Sequence, residues 1–472
     1  MKKNEISKNE LFAHMPVHKA LAAMAVPTII SQMINLIYNM VDGFFIGRTG
    51  NSYMMAATSL VLTLTMLHVA LSNLFGVGGG SLVARLMGIG KEEKARRVSA
   101  FSMYGAAAAA LGFALVVGVF MNPILRFFGA SDATIGYARA YTLIVIVIGS
   151  VPALLSLVTA HLLRNAGFSG KASFGLSLGG VLNVVLDPLF MFVLLPRGYE
   201  VHGAAIATLL SNVVSCLYLL RAYRRAGADA PLSLRLADAQ KIDRESVNAV
   251  LAVGVPSAVL TGLFDLANIC VNILAASYND MVLAGMGIVT KLERLPNAVN
   301  MGICQGMLPI VAFNYAGGNR ERMKEVIRTA RAAGLAVSAA CIALFELFAG
   351  PAVRLFMSTS AGDAVTALET IGYAVLFLRI RCLASPVQFL NYHTSFCMQA
   401  VGDGRATLLH AVVRELVFYI PMMFLLNALF GQTGLAAALP VGEGCGAAFA
   451  LALLAHVLRK QEKQNAARAK TV

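Results

Sequence analysis

Met121-Asn122-Pro123-Ile124-Leu125-Arg126-Phe127-Phe128 returns in the second half of the chain as Ala349-Gly350-Pro351-Ala352-Val353-Arg354-Leu355-Phe356. Proline, arginine and the last phenylalanine stay in register. At nearly the same offset Gly90-Lys91-Glu92-Glu93-Lys94 answers Gly318-Asn319-Arg320-Glu321-Arg322, and Val26-Pro27 answers Val255-Pro256. Two hydrophobic repeats running in the same direction can enclose one central pathway and rock about it, which is how many carriers are built.

Composition excludes most other classes. With 472 residues, 58% hydrophobic, 13% charged and a mean hydropathy of +0.72, the chain has too little polar surface to cover a soluble globule. Apolar stretches long enough to cross a ~30 Å hydrocarbon core recur throughout. Twelve are expected, at 21–46, 56–87, 98–121, 137–163, 172–195, 202–224, 248–277, 283–315, 327–349, 370–399, 406–430 and 434–458. Their Gly, Ala and Pro content suits helices, and the ten-residue alternation of a membrane β-barrel is absent. The expected fold is therefore an all-α membrane protein, with twelve transmembrane helices in two pseudo-symmetric six-helix bundles around a central cavity. Residues 1–224 form the first lobe, 225–247 a cytoplasmic linker and 248–472 the second lobe.

A net charge of +14 suggests nucleic acid in a soluble protein. Here the basic residues fall mostly in the N-terminal tail, alternate loops and the C-terminal tail, so the positive-inside rule puts both termini in the cytoplasm. Lys91 to Arg97, Arg221 to Arg244 and Arg320 to Arg331 are read as anchors beside anionic membrane lipid, and no nucleic-acid partner is expected. Met1 to His18 is polar and leads into a full-length apolar run, so no cleavable signal peptide is expected and the first span serves for insertion. The expected location is the inner cell membrane. Seven cysteines without a C-x-x-C pair argue against a disulfide framework or a zinc site.

Depth follows from the topology at about 1.5 Å of rise per residue. Asp42 falls roughly 9 Å inside the outer boundary and Asp187 roughly 13 Å, with Asn183 one turn deeper on the same face. Thr208, on the sixth span, falls roughly 8 Å deep, and Tyr141 on the fourth lies at a similar level. Ionisable groups cost at least a few kcal/mol in a bilayer, so two carboxylates at matched depth mark a functional site by default. Asp42 precedes Gly43 near a helix end, which also suits a solvated interfacial residue. Pro188 donates no hydrogen bond and clashes with the carbonyl of Val184, so the helix is expected to bend beside Asp187 and free a carbonyl. Acid, amide and free carbonyl together can hold a proton or coordinate Na⁺. Asn35, Asn39 and Asp42 form a polar stripe on the first span, in which the asparagines equally suit interhelical hydrogen bonding.

These residues resemble a known family. Pro27-Thr28 leading to Val41-Asp42-Gly43-Phe44-Phe45-Ile46-Gly47 looks like the first span of the multidrug and toxic compound extrusion (MATE) family. So do Leu163-Arg164-Asn165-Ala166-Gly167, Asn183 with Asp187-Pro188, Gly203 to Thr208, Gln399 to Gly402, Ile420-Pro421, and Gly434-Leu435 running to Pro440. The resemblance covers nearly the whole chain and is strongest to the MepA-like branch. It implies a cation/drug antiporter that alternates between outward- and inward-open forms and needs no cofactor beyond its coupling ion, H⁺ or Na⁺. In the related branch the first lobe binds that cation through acids matching Asp42 and Asp187, with Asn183, Thr208 and Tyr141 as polar partners; with Na⁺ the two aspartates would be its metal ligands. Other members carry a cation site in the second lobe, with acids on the seventh and tenth spans. Asp265 sits at about the seventh-span place, followed by Asn268 and Asn272. The tenth span departs from that pattern, offering Gln388, Asn391 and His393 but no carboxylate. Asp265, Asn39, Asn268 and Asn272 are accordingly expected to meet substrate, small organic cations above all.

Antiport follows if cation and drug favour opposite conformations, since each shifts the equilibrium only by its differential affinity for the two states. Met and Phe side chains can line an adaptable apolar wall, although most suit ordinary packing or lipid contact. Glu415 and Glu443 on the last two spans read as structural charges that Arg379, Arg381 and Arg414 could neutralise, and His393 as a bundle histidine with its hydrogen bonds satisfied. A lipid-linked oligosaccharide or cell-wall precursor flippase shares the architecture but needs a basic cavity for its pyrophosphate, against the acidic first lobe here. H-E-x-x-H, nucleotide-loop and nucleophile-elbow motifs are absent, so an enzyme is not expected, and an ion gradient must supply the energy. A monomer is expected.

Overall fold

The computed structural model of the chain describes residues 10–356 and 364–469, and these are helical almost throughout. Lys2, Lys3, Lys8 and Lys470 of the basic tails lie outside the described residues. Twelve long helices follow one another: α1 Val17–Arg48, α2 Ser52–Gly88, α3 Glu92–Val119, α4 Ile135–Ile148 with Ser150–Asn165, α5 Ser169–Leu194 and α6 Glu200–Ala226. The second half repeats the series with α7 Arg244–Ala276, α8 Asp280–Ala316, α9 Arg320–Phe356, α10 Ala364–Cys382 with Ser385–Val401, α11 at 404–430 and α12 at 432–469. The two parts of α4 meet at 51°. Gly431, at φ 60° and ψ −142°, separates α11 from α12 with a backbone that L side chains rarely adopt. α8 and α10 are less apolar than the others because Lys291, Glu293 and Arg294, and Arg379 and Arg381, interrupt them.

Polar side chains start several helices by accepting orphan backbone N–H groups. Asn51 caps α2 through Tyr53 and Met54, Asn279 caps α8 through Val282, and Asp403 caps α11 through Ala406. Flanks that face neither a neighbouring helix nor the centre carry large exposed apolar residues such as Leu115, Val193, Leu217, Ile273 and Leu347. Lipid covers such surface in a membrane protein, so the mean packing of these helices leaves one face of each unburied.

Among the described residues the halves share a buried core at the termini side. Beside the ends nearest the termini, Leu21, Met24 and Ala25 of α1 share a core with Ile303, Met307 and Ile310 of α8, joined by Val77 and Ala84 of α2 and Val253 of α7. Glycine makes this approach possible. A Cβ at Gly78 would lie 2.3 Å from the Val250 carbonyl oxygen, and one at Gly254 only 1.9 Å from that of Leu74. Ser81 donates across the seam to the Gln399 carbonyl at 2.6 Å. The N-terminal turn Glu10–His14 adds a strap: Phe12 offers its carbonyl to Asn314 at 3.0 Å and to Arg322 at 2.7 Å, with its ring against Phe313. Toward the opposite face the cores divide. One gathers Ile46, Val61, Tyr141 and Met191 from the first half, and the other Val271, Met286, Phe377 and Leu439 from the second. The buried cores are thus joined at the termini side and separate at the other, the arrangement expected of a form open away from the termini.

Residues 225–247 lie along the first half. Ser99 accepts from Ser233 N–H at 3.0 Å, Tyr104 donates to the Leu234 carbonyl at 2.9 Å, and Lys94 stands 3.4 Å from Asp243.

Candidate cation-binding site

α1, α4, α5 and α6 bring the five first-half residues together. Asn183 and Asp187 lie one turn apart on α5, so they share a face, and the Asn183 amide donates to Asp187 Oδ1 at 3.1 Å. The same amide lies 3.3 Å from Thr208 Oγ1 on α6, and Thr208 in turn meets the Tyr141 hydroxyl of α4. Asp42 of α1 reaches Asp187 within hydrogen-bonding distance. Asp187 is fully buried and Asn183 is 2% exposed.

Small residues on α5 set this spacing. Gly180 faces α1, where a Cβ would come within 3.0 Å of the Tyr38 ring, and Gly179 faces α6, 3.0 Å from Ser215 Cβ by the same construction. Both neighbours thus draw close to the one helix that carries the acid and the amide. Past Pro188 α5 does not break. It runs on in the wider π turns of Leu189–Leu194, so the i→i−4 bond that proline cannot make is accompanied by rewinding of the helix beside Asp187. The ring of Phe192 meets Phe45 edge-on at 6.2 Å, an apolar contact within six residues of both acids.

Among the described residues Asp42 Oδ1, Asp187 Oδ2 and Asn183 Oδ1 are buried without a hydrogen-bond donor. Two carboxylates in contact have no proton to exchange unless one is supplied, so the pair calls for a proton or a cation between its oxygens. Thr208 Oγ1, 3.3 Å from the Asn183 amide, is a further oxygen at the site, the hard-ligand chemistry that suits Na⁺ as well as H⁺. Tyr38 belongs to this site too. It sits one turn before Asp42, contacts Asn39 and lies in the field of both acids. Its signal in the sequence was the Tyr38/Asp42 spacing of four residues.

The second-half residues expected to meet substrate are more dispersed. Asp265 is half-buried, and Arg294 of α8 is the countercharge that faces it. Asn268 turns its amide back onto the Phe264 carbonyl at 2.9 Å, and Asn39 does the same to Asn35 at 2.6 Å. Asn272 is exposed. His393 holds the Ile327 carbonyl at 3.0 Å through Nε2, while its Nδ1 has no hydrogen-bond partner among the described residues. Of the buried charges, Arg381 closes a two-pronged bond on Glu293, at 2.8 Å on each oxygen, and Arg414 does so on Glu443 at 2.9 and 2.6 Å. Arg379 reaches Glu346, 3.6 Å away at the surface.

The chain is similar to known transporters along its length. It is 28% identical over 450 residues to the multidrug export protein MepA of Staphylococcus aureus (strain NCTC 8325 / PS 47), covering 95% of each chain, and equally identical to MepA of Staphylococcus saprophyticus over 450 residues. Its fold superimposes with a TM-score of 0.90 on a crystal structure of MATE in complex with MaL6, at 23% identity over 97% of this chain and 99% of that one. A MATE family multidrug resistance transporter of the MOP superfamily in an outward-facing conformation follows at 0.89, with 23% identity over 98% and 100%. The MatE family matches residues 27–189 and 256–425, one match in each half. With both halves matched and the fold shared from end to end, this chain belongs to the MatE family of multi-pass membrane transporters.

Proposed function

We propose that the protein is a cation-coupled antiporter, driven by H⁺ or Na⁺, that exports organic and often cationic drugs from the cytoplasm by alternating access across the inner membrane. The observation that carries this reading is the meeting of half-buried Asp42 and fully buried Asp187 from α1 and α5, with the Asn183 amide bonded to Asp187. A cation held there removes the repulsion between the two acids and lets α1, α5 and α6 close around it. Its release lets them part, so loading and conformation are linked. The curated relatives named for multidrug export support the direction and the kind of cargo. Asp265 supports the second half as the place for a cationic drug, with Arg294 as the group such a drug would displace. Both termini are read as cytoplasmic, which makes the present form outward-open.

Purified protein in proteoliposomes tests the reading. An imposed proton or sodium gradient should drive uptake of an organic cation against its own gradient. Uptake indifferent to both gradients would sink it.

A further inference from the structure

Glu415 is fully buried in α11, and among the described residues neither of its carboxylate oxygens receives a hydrogen bond. Its chain neighbour Arg414 is already engaged. Nε and one Nη of that arginine grip Glu443 of α12, and Glu415 Oε1 is left 3.5 Å from the same Nε. Asn391 of α10 adds a 2.6 Å bond to Glu443, completing that partner rather than this one.

Among the described residues, the charged and titratable groups of the neighbouring helices have partners of their own. On α11, His410 sits between Asn391 Oδ1 at 3.1 Å and Ser395 Oγ at 2.8 Å, bonds that a neutral ring satisfies with one donor and one acceptor nitrogen. Tyr419 lies beside Arg381 of α10, and that arginine holds Glu293 of α8. Tyr392 of α10 lies beneath the Arg414 guanidinium at 4.9 Å. Asp265 of α7 faces Arg294 instead. The buried cluster thus sets three acids, Glu293, Glu415 and Glu443, against two arginines, Arg381 and Arg414, and one negative charge is left over. Glu415 thus shares with Glu443 an arginine that is already bonded to Glu443, and a buried carboxylate that receives no hydrogen bond and leaves its cluster with an excess charge is costly in a low-dielectric interior.

We propose that Glu415 is a proton-binding site of the second half, whose proton neutralises the cluster it forms with Arg414 and Glu443. A metal cation fits poorly, because the Arg414 guanidinium stands beside the same oxygen and Glu443, bonded to both Arg414 and Asn391, has little left to offer as a ligand. Glu415 lies within the π segment Val413–Tyr419, which packs against α12 where Gly442 and Gly446 make room for Tyr419 and Arg414. Gain or loss of the proton therefore changes the charge at the contact of α10, α11 and α12. The site is separate from the Asp42–Asp187 pair and stands whether or not that pair couples transport.

Infrared spectroscopy of the purified full-length protein at neutral pH reads a protonated carboxyl group directly through its carbonyl stretch. Glutamate labelled with ¹³C at the carboxyl should shift one such band in the wild type, Glu415→Gln should remove it, and Asp42→Asn with Asp187→Asn should leave it in place. A protonated-carboxyl band that ignores the glutamate label, or that persists in Glu415→Gln, overturns the proposal. The label experiment needs no substitution, so it decides the matter even if Glu415→Gln folds poorly.

Discussion

Gly254 of α7 lies so close to Leu74 of α2 that a single methyl group at 254 would come within 1.9 Å of the Leu74 carbonyl oxygen. The obstacle is backbone, so no side chain can rotate away. This contact belongs to the seam that closes the termini side, and alternating access requires that seam to part. Gly254→Ala should destabilise the form closed at the termini side by overpacking, at about 1–3 kcal/mol, enough to shift a two-state equilibrium roughly five- to a hundredfold. Spin labels on α2 and α7 near the termini side should report longer distances in the variant. Unchanged distances would show that the seam yields elsewhere.

Orientation is open to a direct check. Arg225 and Arg322 are predicted to face the cytoplasm, and Asn51 and Ser131 the outside. Single cysteines at these positions in a cysteine-free background should react with an impermeant thiol reagent from the matching side only. Labelling of position 225 from outside would reverse the direction of transport proposed above.

Asp265 with Arg294 makes a prediction about substrate charge. If a cationic drug takes the place of Arg294 beside this carboxylate, Asp265→Asn should weaken transport of organic cations about tenfold or more while sparing neutral substrates, since a carboxylate in a low-dielectric cavity attracts a cation strongly and a neutral molecule little. Efflux assays with charged and uncharged substrates decide it. An equal loss for both would place Asp265 in the fold or in the coupling machinery.

Much of the candidate site was legible because its residues obey helix geometry. Asn183 and Asp187 are one turn apart, and Asp42, Thr208 and Tyr141 fall at matched depth once the spans and their directions are counted. Neighbour choice was not legible. Arg414 adjoins Glu415 in the chain yet gives both its hydrogen bonds to Glu443 on the next helix and leaves Glu415 a 3.5 Å ion pair, because adjacent residues on a helix point to different sides and cannot share a fork. Glu293 and Arg381 find each other from separate helices for the same reason. The π turns after Pro188 were hidden as well, since residue type alone does not say whether a helix meets a proline by bending or by rewinding.

Asn183 separates positioning from charge. Its amide bridges Asp187 and Thr208. Asn183→Ala should leave both acids in place but unaligned, weakening cation coupling by about 1–3 kcal/mol, or roughly five- to a hundredfold in cation affinity. The cation dependence of transport at fixed drug concentration measures this. A variant with unchanged dependence would remove Asn183 from the site.

The central claim, that Asp42 and Asp187 hold the coupling cation, meets its most direct test in Asp187→Asn. The substitution keeps size and hydrogen-bonding capacity and removes the charge that needs a cation. Purified wild type should release its bound cation, proton or sodium, when an organic cation is added. Asp187→Asn protein of normal stability should release none and show no gradient-driven transport. Wild-type release together with undiminished gradient-driven transport in that variant would contradict the account.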